Sequence, residues 1–334
     1  MDHLQNAVLL HWLYAGVLFV MGLAMGSFLN VVAYRAPLEI SLLEPPSSCP
    51  ACGKKIWARD NLPLLGWLRL GGKCRFCRAP ISVRYPLVEL AAGVLWAAVG
   101  WRAAGLQYGY WANVFIGLLE LAFVSAMLVT FLVDMDFLII LDEISLGGTA
   151  VALIASALLP ALHRAETPDA FAAFHPLLAD WLDGSPAWVC GLAASLIGLA
   201  AGLAFSLLIY HLGNFFFKKQ IQAAQQVDPD IDSALGLGDV KLMALFGAFL
   251  GWRSVFFIFL AGSIIGAVVG SAMKLASGDP EGKKGLAGLG ARWRNGDSVL
   301  PFGPFLVLGA LLYLFAGEPI LGAAFALLEQ QSRW

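Results

Sequence analysis

Charged residues are scarce in this chain: they make up only 13% of its 334 residues, against about 25% in an ordinary soluble domain. That scarcity excludes a surface solvated by water on all sides. The formal net charge of −2 is too small to gather nucleic acid by bulk electrostatics, and nothing else in the sequence argues for such a partner. Histidine is equally sparse. His3, His11, His163, His175 and His211 fall at no ligand spacing, and the absence of H-E-x-x-H removes the zinc-protease reading. The G-x-S-x-G elbow of a serine hydrolase is also missing, so Ser27 and Ser145 read as helix packing. No repeat of fixed period and no low-complexity tract interrupts the chain.

What remains is apolar, at 59% of residues. Several stretches approach or exceed the roughly 20 residues that carry a helix across about 30 Å of hydrocarbon. The spans fall near 9–34, 86–104, 111–133, 143–162, 187–212, 239–252, 254–275 and 299–317. The fold class is therefore an all-α, polytopic membrane bundle of about eight transmembrane helices, with the lipid bilayer as its solvent. The first segment is too long for a signal-peptide core and has no basic residues before it, so it reads as a retained span. Pro319 to Leu328 is too short for a ninth. Gly22 with Gly26, and Gly262 with Gly266 and Gly270, have the small-xxx-small spacing of close helix packing. Trp12, Tyr34, Trp101, Trp111 and Trp252 suit the membrane interface.

Orientation follows from basic residues in the connections. The segment between Arg35 and Tyr85 carries Arg35, Lys54, Lys55, Arg59, Arg69, Lys73, Arg75, Arg78 and Arg84 against Glu39, Glu44 and Asp60, which places it in the cytoplasm. Counting spans from there, the connections near 213–238 and 276–298 also fall inside, with Lys218, Lys219, Lys283, Lys284, Arg292 and Arg294. The acidic connection near 163–186 falls outside, together with the N-terminus.

Asp134 closes the third span in Phe-Leu-Val-Asp-Met-Asp, and Asp239 opens the sixth in Leu-Gly-Leu-Gly-Asp-Val-Lys-Leu. Loop charges alone put both at the cytoplasmic boundary. An ionised side chain at membrane depth costs at least about 2.5–3.5 kcal/mol, so it usually faces a partner or a wet cavity. Two adjacent carboxylates share a proton, one serving as base and the other as acid, which is the working state of an aspartyl protease. Taken singly, each is equally well a helix-boundary residue in the headgroup region, and Asp239 a first-turn acid favoured by the helix dipole. Gly236 and Gly238 allow close backbone approach just before the second acid. Asp136 lies about 200° around a helix from Asp134, so at most one of them aims at Asp239. Asp142 and Glu143 mark the next helix or the site entrance, while Lys241 either binds charge at the site or snorkels.

The second constellation is Cys49-Pro-Ala-Cys52 with Cys74-Arg-Phe-Cys77. Four thiolates at this spacing suit a closed tetrahedral structural zinc site with no open position for catalysis. In a cytoplasmic insert, disulfides are the weaker alternative. The fifth cysteine, Cys190, lies in an apolar span and reads as packing.

Taken together these residues resemble the bacterial type IV prepilin peptidases, or prepilin leader peptidase/N-methyltransferases, a family of GxGD-type membrane aspartyl proteases. The resemblance runs through Gly26-Ser-Phe-Leu-Asn-Val-Val-Ala-Tyr-Arg35, both cysteine pairs, Asn61-Leu-Pro, Gly66-Trp67-Leu68 and Ile81-Ser-Val-Arg-Tyr-Pro-Leu-Val-Glu89. It continues in Val133-Asp-Met-Asp136 and Gly236-Leu-Gly-Asp-Val-Lys241. It implies Asp134 and Asp239 as catalytic, the first because Asp142 follows eight positions later. It also implies prepilins and type II secretion pseudopilins as substrates, cut after a glycine between a basic leader and an apolar helix. N-methylation of the new terminus with S-adenosylmethionine is implied by resemblance only. Leu141 replaces the proline usual before residue 142, which keeps Asp136 in reserve, and the connections near 163–186 and 276–298 are longer than usual.

The expected organisation is a first transmembrane helix (1–34), a cytoplasmic four-cysteine insert (35–85) and a membrane aspartyl peptidase bundle (86–334), in a bacterial inner membrane with the active site facing the cytoplasm. The alternatives are a presenilin-like intramembrane protease, which the cysteine insert disfavours, and a transporter using membrane acids to carry protons or cations. A transporter would show broken helices in corresponding halves, and none is evident.

Overall fold

A computed structural model describes residues 2–106, 108–163, 185–225, 233–277 and 301–331. The expected connections at 163–186 and 276–298 lie almost wholly outside the described residues. The described chain is helical: α1 Asp2–Arg35, α2 Leu65–Arg69, α3 Arg84–Ala104, α4 Tyr110–Phe137, α5 Asp142–Leu158, α6 Ala187–Phe216, α7 Lys218–Gln225, α8 Leu237–Leu250, α9 Trp252–Ser277 and α10 Gly303–Gln331. Among the described residues, five helical segments are long and apolar enough to cross a membrane, at Val8–Leu38, Arg84–Ala104, Tyr110–Phe137, Ala187–Phe216 and Trp252–Met273. At the other three expected spans the described helices are shorter than that. They are α5 with 17 residues, α8 with 14 and the Gly303–Gly317 part of α10. One difference concerns the C-terminal stretch, which is no separate segment: α10 runs on through Pro319. Helices in membranes tolerate such a proline when neighbouring groups take up the freed carbonyl.

The chain divides into two compact units, 1–133 and 134–334. In the first, α1 packs along α3 with almost no side-chain spacer. A Cβ on Gly22 would lie 2.7 Å from Ala92 O, and one on Gly26 would lie 2.7 Å from Glu89 Cα, so this pair of glycines does serve close packing. Polar side chains of α3 and α4 pair with one another, although Glu120 Oε2 is buried without a hydrogen-bond partner among the described residues. Trp96 Nε1 donates to Ser125 Oγ at 3.0 Å, and Arg102 donates to Glu120 at 2.7 Å, where Glu120 is only 1% exposed. An unmatched carboxylate at that depth would be strongly destabilising.

The insert hangs between α1 and α3. Its Asp60 accepts from Arg75 at 2.6 Å and Arg69 at 2.7 Å, and the Arg75 hydrogen bond, helped by Arg69, holds this carboxyl down at about 2. Glu89 of α3 reaches back and accepts from the Leu64 N–H at 2.7 Å. Leu64 has φ 58°, a conformation that a bulky residue adopts only when its surroundings hold it there.

In the second unit α8 is the core. Every residue from Asp239 to Phe249 is buried except Lys241, and α5, α6, α9 and α10 pack around it. Glycine again sets the spacing, since a Cβ on Gly198 of α6 would overlap the Gly247 carbonyl of α8. Gly262 and Gly266 of α9 lie against Phe305 of α10, with Cβ approaches of 3.0 and 3.2 Å. Their expected packing role is therefore met.

Candidate active site and metal centre

Three helix ends meet at the buried carboxylates of the second unit. Helix α4 continues through the Asp-Met-Asp segment, four residues past the expected end of its span, and stops at Phe137. There Leu138, at φ 56°, donates its N–H to the Asp134 carbonyl at 3.0 Å. Asp134 is thus held on regular helix and is 6% exposed, whereas Asp136 is half-buried. Asp239 sits in the first turn of α8, three residues after the N-cap Gly236, and is 8% exposed. A Cβ on Gly238 would come 3.2 Å from Ile140, so this glycine lets the α4–α5 connection lie directly against the start of α8.

The third end is that of α10. A Cβ on Gly303 would overlap Asp134 Oδ2 and stand 3.4 Å from Asp239 Oδ1. The two carboxyl groups therefore converge on one small region beside Gly303. Sequence reasoning missed this residue, because Pro-Phe-Gly-Pro falls inside the expected span 299–317 and carries no local chemical signal. Asp142 is exposed and accepts from Lys241 Nζ at 2.7 Å, while Glu143 is exposed at the start of α5. Two buried acids so placed, with no basic side chain paired to either among the described residues, can polarise a water between them.

Within the insert, all four sulfurs of Cys49, Cys52, Cys74 and Cys77 lie within 4.8 Å of one another, and Cys49 Sγ is 3.8 Å from Cys77 Sγ. Each pair sits on the same local turn. Gly53 N donates to Cys49 O at 2.8 Å, and Arg78 N donates to Cys74 O at 3.0 Å. The residue after each second cysteine is left-handed, Gly53 at φ 68° and Arg78 at φ 61°. Backbone N–H groups of Cys77 and Phe76 favour the Cys74 thiolate and bring that thiol down to about 6. Tetrahedral zinc with ligands at about 2.3 Å sets its sulfurs about 3.8 Å apart. The donor set therefore fits a metal ion of that kind. Cys190 lies in α6.

Comparison with known proteins places this assembly. The bacterial peptidase A24 N-terminal domain matches residues 20–103, and the type IV leader peptidase family matches residues 121–271. A prepilin leader peptidase/N-methyltransferase of Aeromonas hydrophila is 30% identical over 339 residues, covering 93% of each chain. This chain belongs to the type IV leader peptidase family. A prepilin leader peptidase/N-methyltransferase of Myxococcus xanthus is 35% identical over 266 residues, 80% of this chain but only 65% of that protein. The Legionella pneumophila relative of the same name is 28% identical over 341 residues, 95% of this chain and 96% of that one. No solved structure matches the chain. The family match covers both constellations, with the cysteine pairs in its N-terminal part and both aspartates in its peptidase part.

Proposed function

We propose that this leader peptidase removes the leaders of type IV prepilins and type II secretion pseudopilins, cutting after a glycine at the cytoplasmic membrane face, with Asp134 and Asp239 as an aspartyl dyad. The observation that carries this reading is the convergence of the two carboxyl groups, from helices far apart in sequence, on the side-chain-free position at Gly303. One carboxylate takes a proton from water as the water oxygen attacks the scissile carbonyl. The other, protonated, donates to the carbonyl oxygen, and the tetrahedral intermediate collapses with a proton passed to the leaving amine.

The new N-terminus is then methylated with S-adenosylmethionine; support for this step is the N-methyltransferase in the relatives' names, and no residue here is assigned to it. The parts we assign to these tasks are the anchor helix (1–34), the four-cysteine insert (35–85) and the peptidase bundle (86–334), in a bacterial inner membrane. The excess of Lys and Arg in residues 35–85 supports a cytoplasmic placement. Cys49, Cys52, Cys74 and Cys77 hold a structural zinc, which ties the insert's short loops together and leaves no coordination position for substrate.

The deciding experiment incubates purified full-length protein in detergent or nanodiscs with a prepilin, with and without S-adenosylmethionine, and reads the mass of the new N-terminus. The expected product starts one residue after the glycine and gains a methyl mass only when the donor is present. Moving the glycine several residues into the apolar segment should abolish cutting. Efficient cleavage there would favour the presenilin-like alternative, and no cleavage of any prepilin would overturn the reading.

A further inference from the structure

Gly303 is the first residue of α10. It is not among the glycines with left-handed backbone, so the conformation at 303 is one that any residue can adopt, and its chirality-free backbone is not the reason for glycine there. Space is the reason. At Gly309, further along the same helix, a Cβ would meet the Ile258 carbonyl at 2.7 Å, which is a packing constraint between helices. At Gly303 the neighbours within reach are carboxylate atoms, Asp134 Oδ2 and Asp239 Oδ1.

We propose that Gly303 is a positioning residue of the dyad. Its missing side chain keeps open the space in which the two carboxyl groups and the scissile carbonyl meet, and so holds the Asp134 carboxylate in register. This rests on the aspartyl-protease reading. The atom a new methyl would displace is the end of a flexible side chain rather than backbone, so Gly303→Ala is expected to insert and fold while swinging the Asp134 carboxylate out of register. A misplacement of about 1 Å at a reacting group costs about 100-fold in rate.

The test compares wild type, Gly303→Ala and Gly309→Ala in prepilin cleavage, methyl transfer to a pre-cleaved pilin, and thermal unfolding. Gly303→Ala should lower kcat about 100-fold with KM within about twofold, and should leave methyl transfer intact. Gly309→Ala should lower the melting temperature, with residual folded protein cutting at the wild-type kcat. The second arm is a stability cycle: any destabilisation by Gly303→Ala should shrink when Asp134 is also truncated to Ala, because the overlapping oxygen is gone. Wild-type kcat in Gly303→Ala would overturn the proposal, as would a stability loss that Asp134→Ala leaves unchanged. Failure of wild type itself to cleave would instead remove the protease reading on which it rests.

Discussion

The four-cysteine insert and the carboxylate site are built in opposite ways. The insert gathers its ligands from two short turns within one local stretch of chain, each turn closed by a backbone hydrogen bond and a left-handed residue. The carboxylate site takes Asp134, Asp239 and Gly303 from the ends of three separate helices, surrounded by apolar side chains. The proposed zinc would supply the insert's cohesion. The carboxylate site depends on the packing of the bundle, which holds the acids whether or not they react. Removing the ligands of one should therefore unfold something, while altering the acids of the other should stop chemistry and leave structure.

The largest expected effect is at the dyad. Neither proton role can be filled by an amide, so Asp134→Asn and Asp239→Asn should each leave a folded, inserted protein whose cleavage is lower by about 10⁴-fold or more. The double variant should be no worse, because the two acids act as one unit. Methyl transfer to a cleaved pilin should survive. Cleavage by Asp134→Asn with loss in Asp136→Asn would mean that the wrong acid of the pair was chosen. Unaltered cutting by Asp239→Asn would falsify the aspartyl mechanism.

Next in size is the metal. Metal analysis should find about one zinc per chain, and Cys52→Ser or chelation should unfold the insert, seen as faster amide exchange across 47–82, because ion binding and folding are coupled there. Cys190→Ser should do neither. Unchanged exchange in metal-free protein would remove the zinc assignment. Acid separates this ion from the neighbouring ion pairs. Asp60 is depressed to about 2 from 3.8, so its contribution is fully present above its unfolded value and is lost only as pH falls through about 2. Thiolates take up protons well above that range. Zinc should leave first on acidification, and simultaneous loss of both would contradict the separation.

How much of each region was legible in the sequence follows from the same contrast. The cysteine spacing is a local pattern, and the apolar runs are local patterns too, so the four-cysteine cluster and the helices can both be read directly. Asp134 and Asp239 could be paired only by non-local means: loop charges that put two helix ends at one boundary, and the family resemblance. Gly303 carried no local signal, because what distinguishes it is the pair of oxygens beside it rather than the residues that flank it. The same holds for Glu120 with Arg102 and for Glu89 with the Leu64 N–H. Each of these is fixed by a partner distant in the chain.

Glu89 offers an intermediate effect. Its carboxylate receives the Leu64 N–H at 2.7 Å and is 9% exposed, and hydrogen bonds to charged acceptors contribute about 1.5–3 kcal/mol. Glu89→Ala should loosen the Leu64 turn and speed exchange of its amide while the zinc remains bound. Loss of zinc together with the turn would show that the insert and its tether to α3 are one cooperative element.

The smallest effect should come from Lys241 and Asp142, although Lys241 lies only two residues after Asp239. Their side chains are 39% and 55% exposed and 2.7 Å apart, and pairs of this kind contribute about 0–1 kcal/mol, screened further by salt. An ion pair at the rim can still matter if Lys241 guides charge into the site rather than stabilising the fold. The two roles separate kinetically. If the pair only joins α5 to α8, Asp142→Asn and Lys241→Gln should each shift the melting temperature slightly, less so at high salt, and leave kcat and KM near wild type. If Lys241 acts on substrate, Lys241→Gln should raise KM while Asp142→Asn does not. We expect the first pattern, because the Lys241 ammonium is already engaged by Asp142 and neither carboxyl of the dyad is recorded as its partner. A rise in KM confined to Lys241→Gln would move this lysine from the support of the site into the site itself.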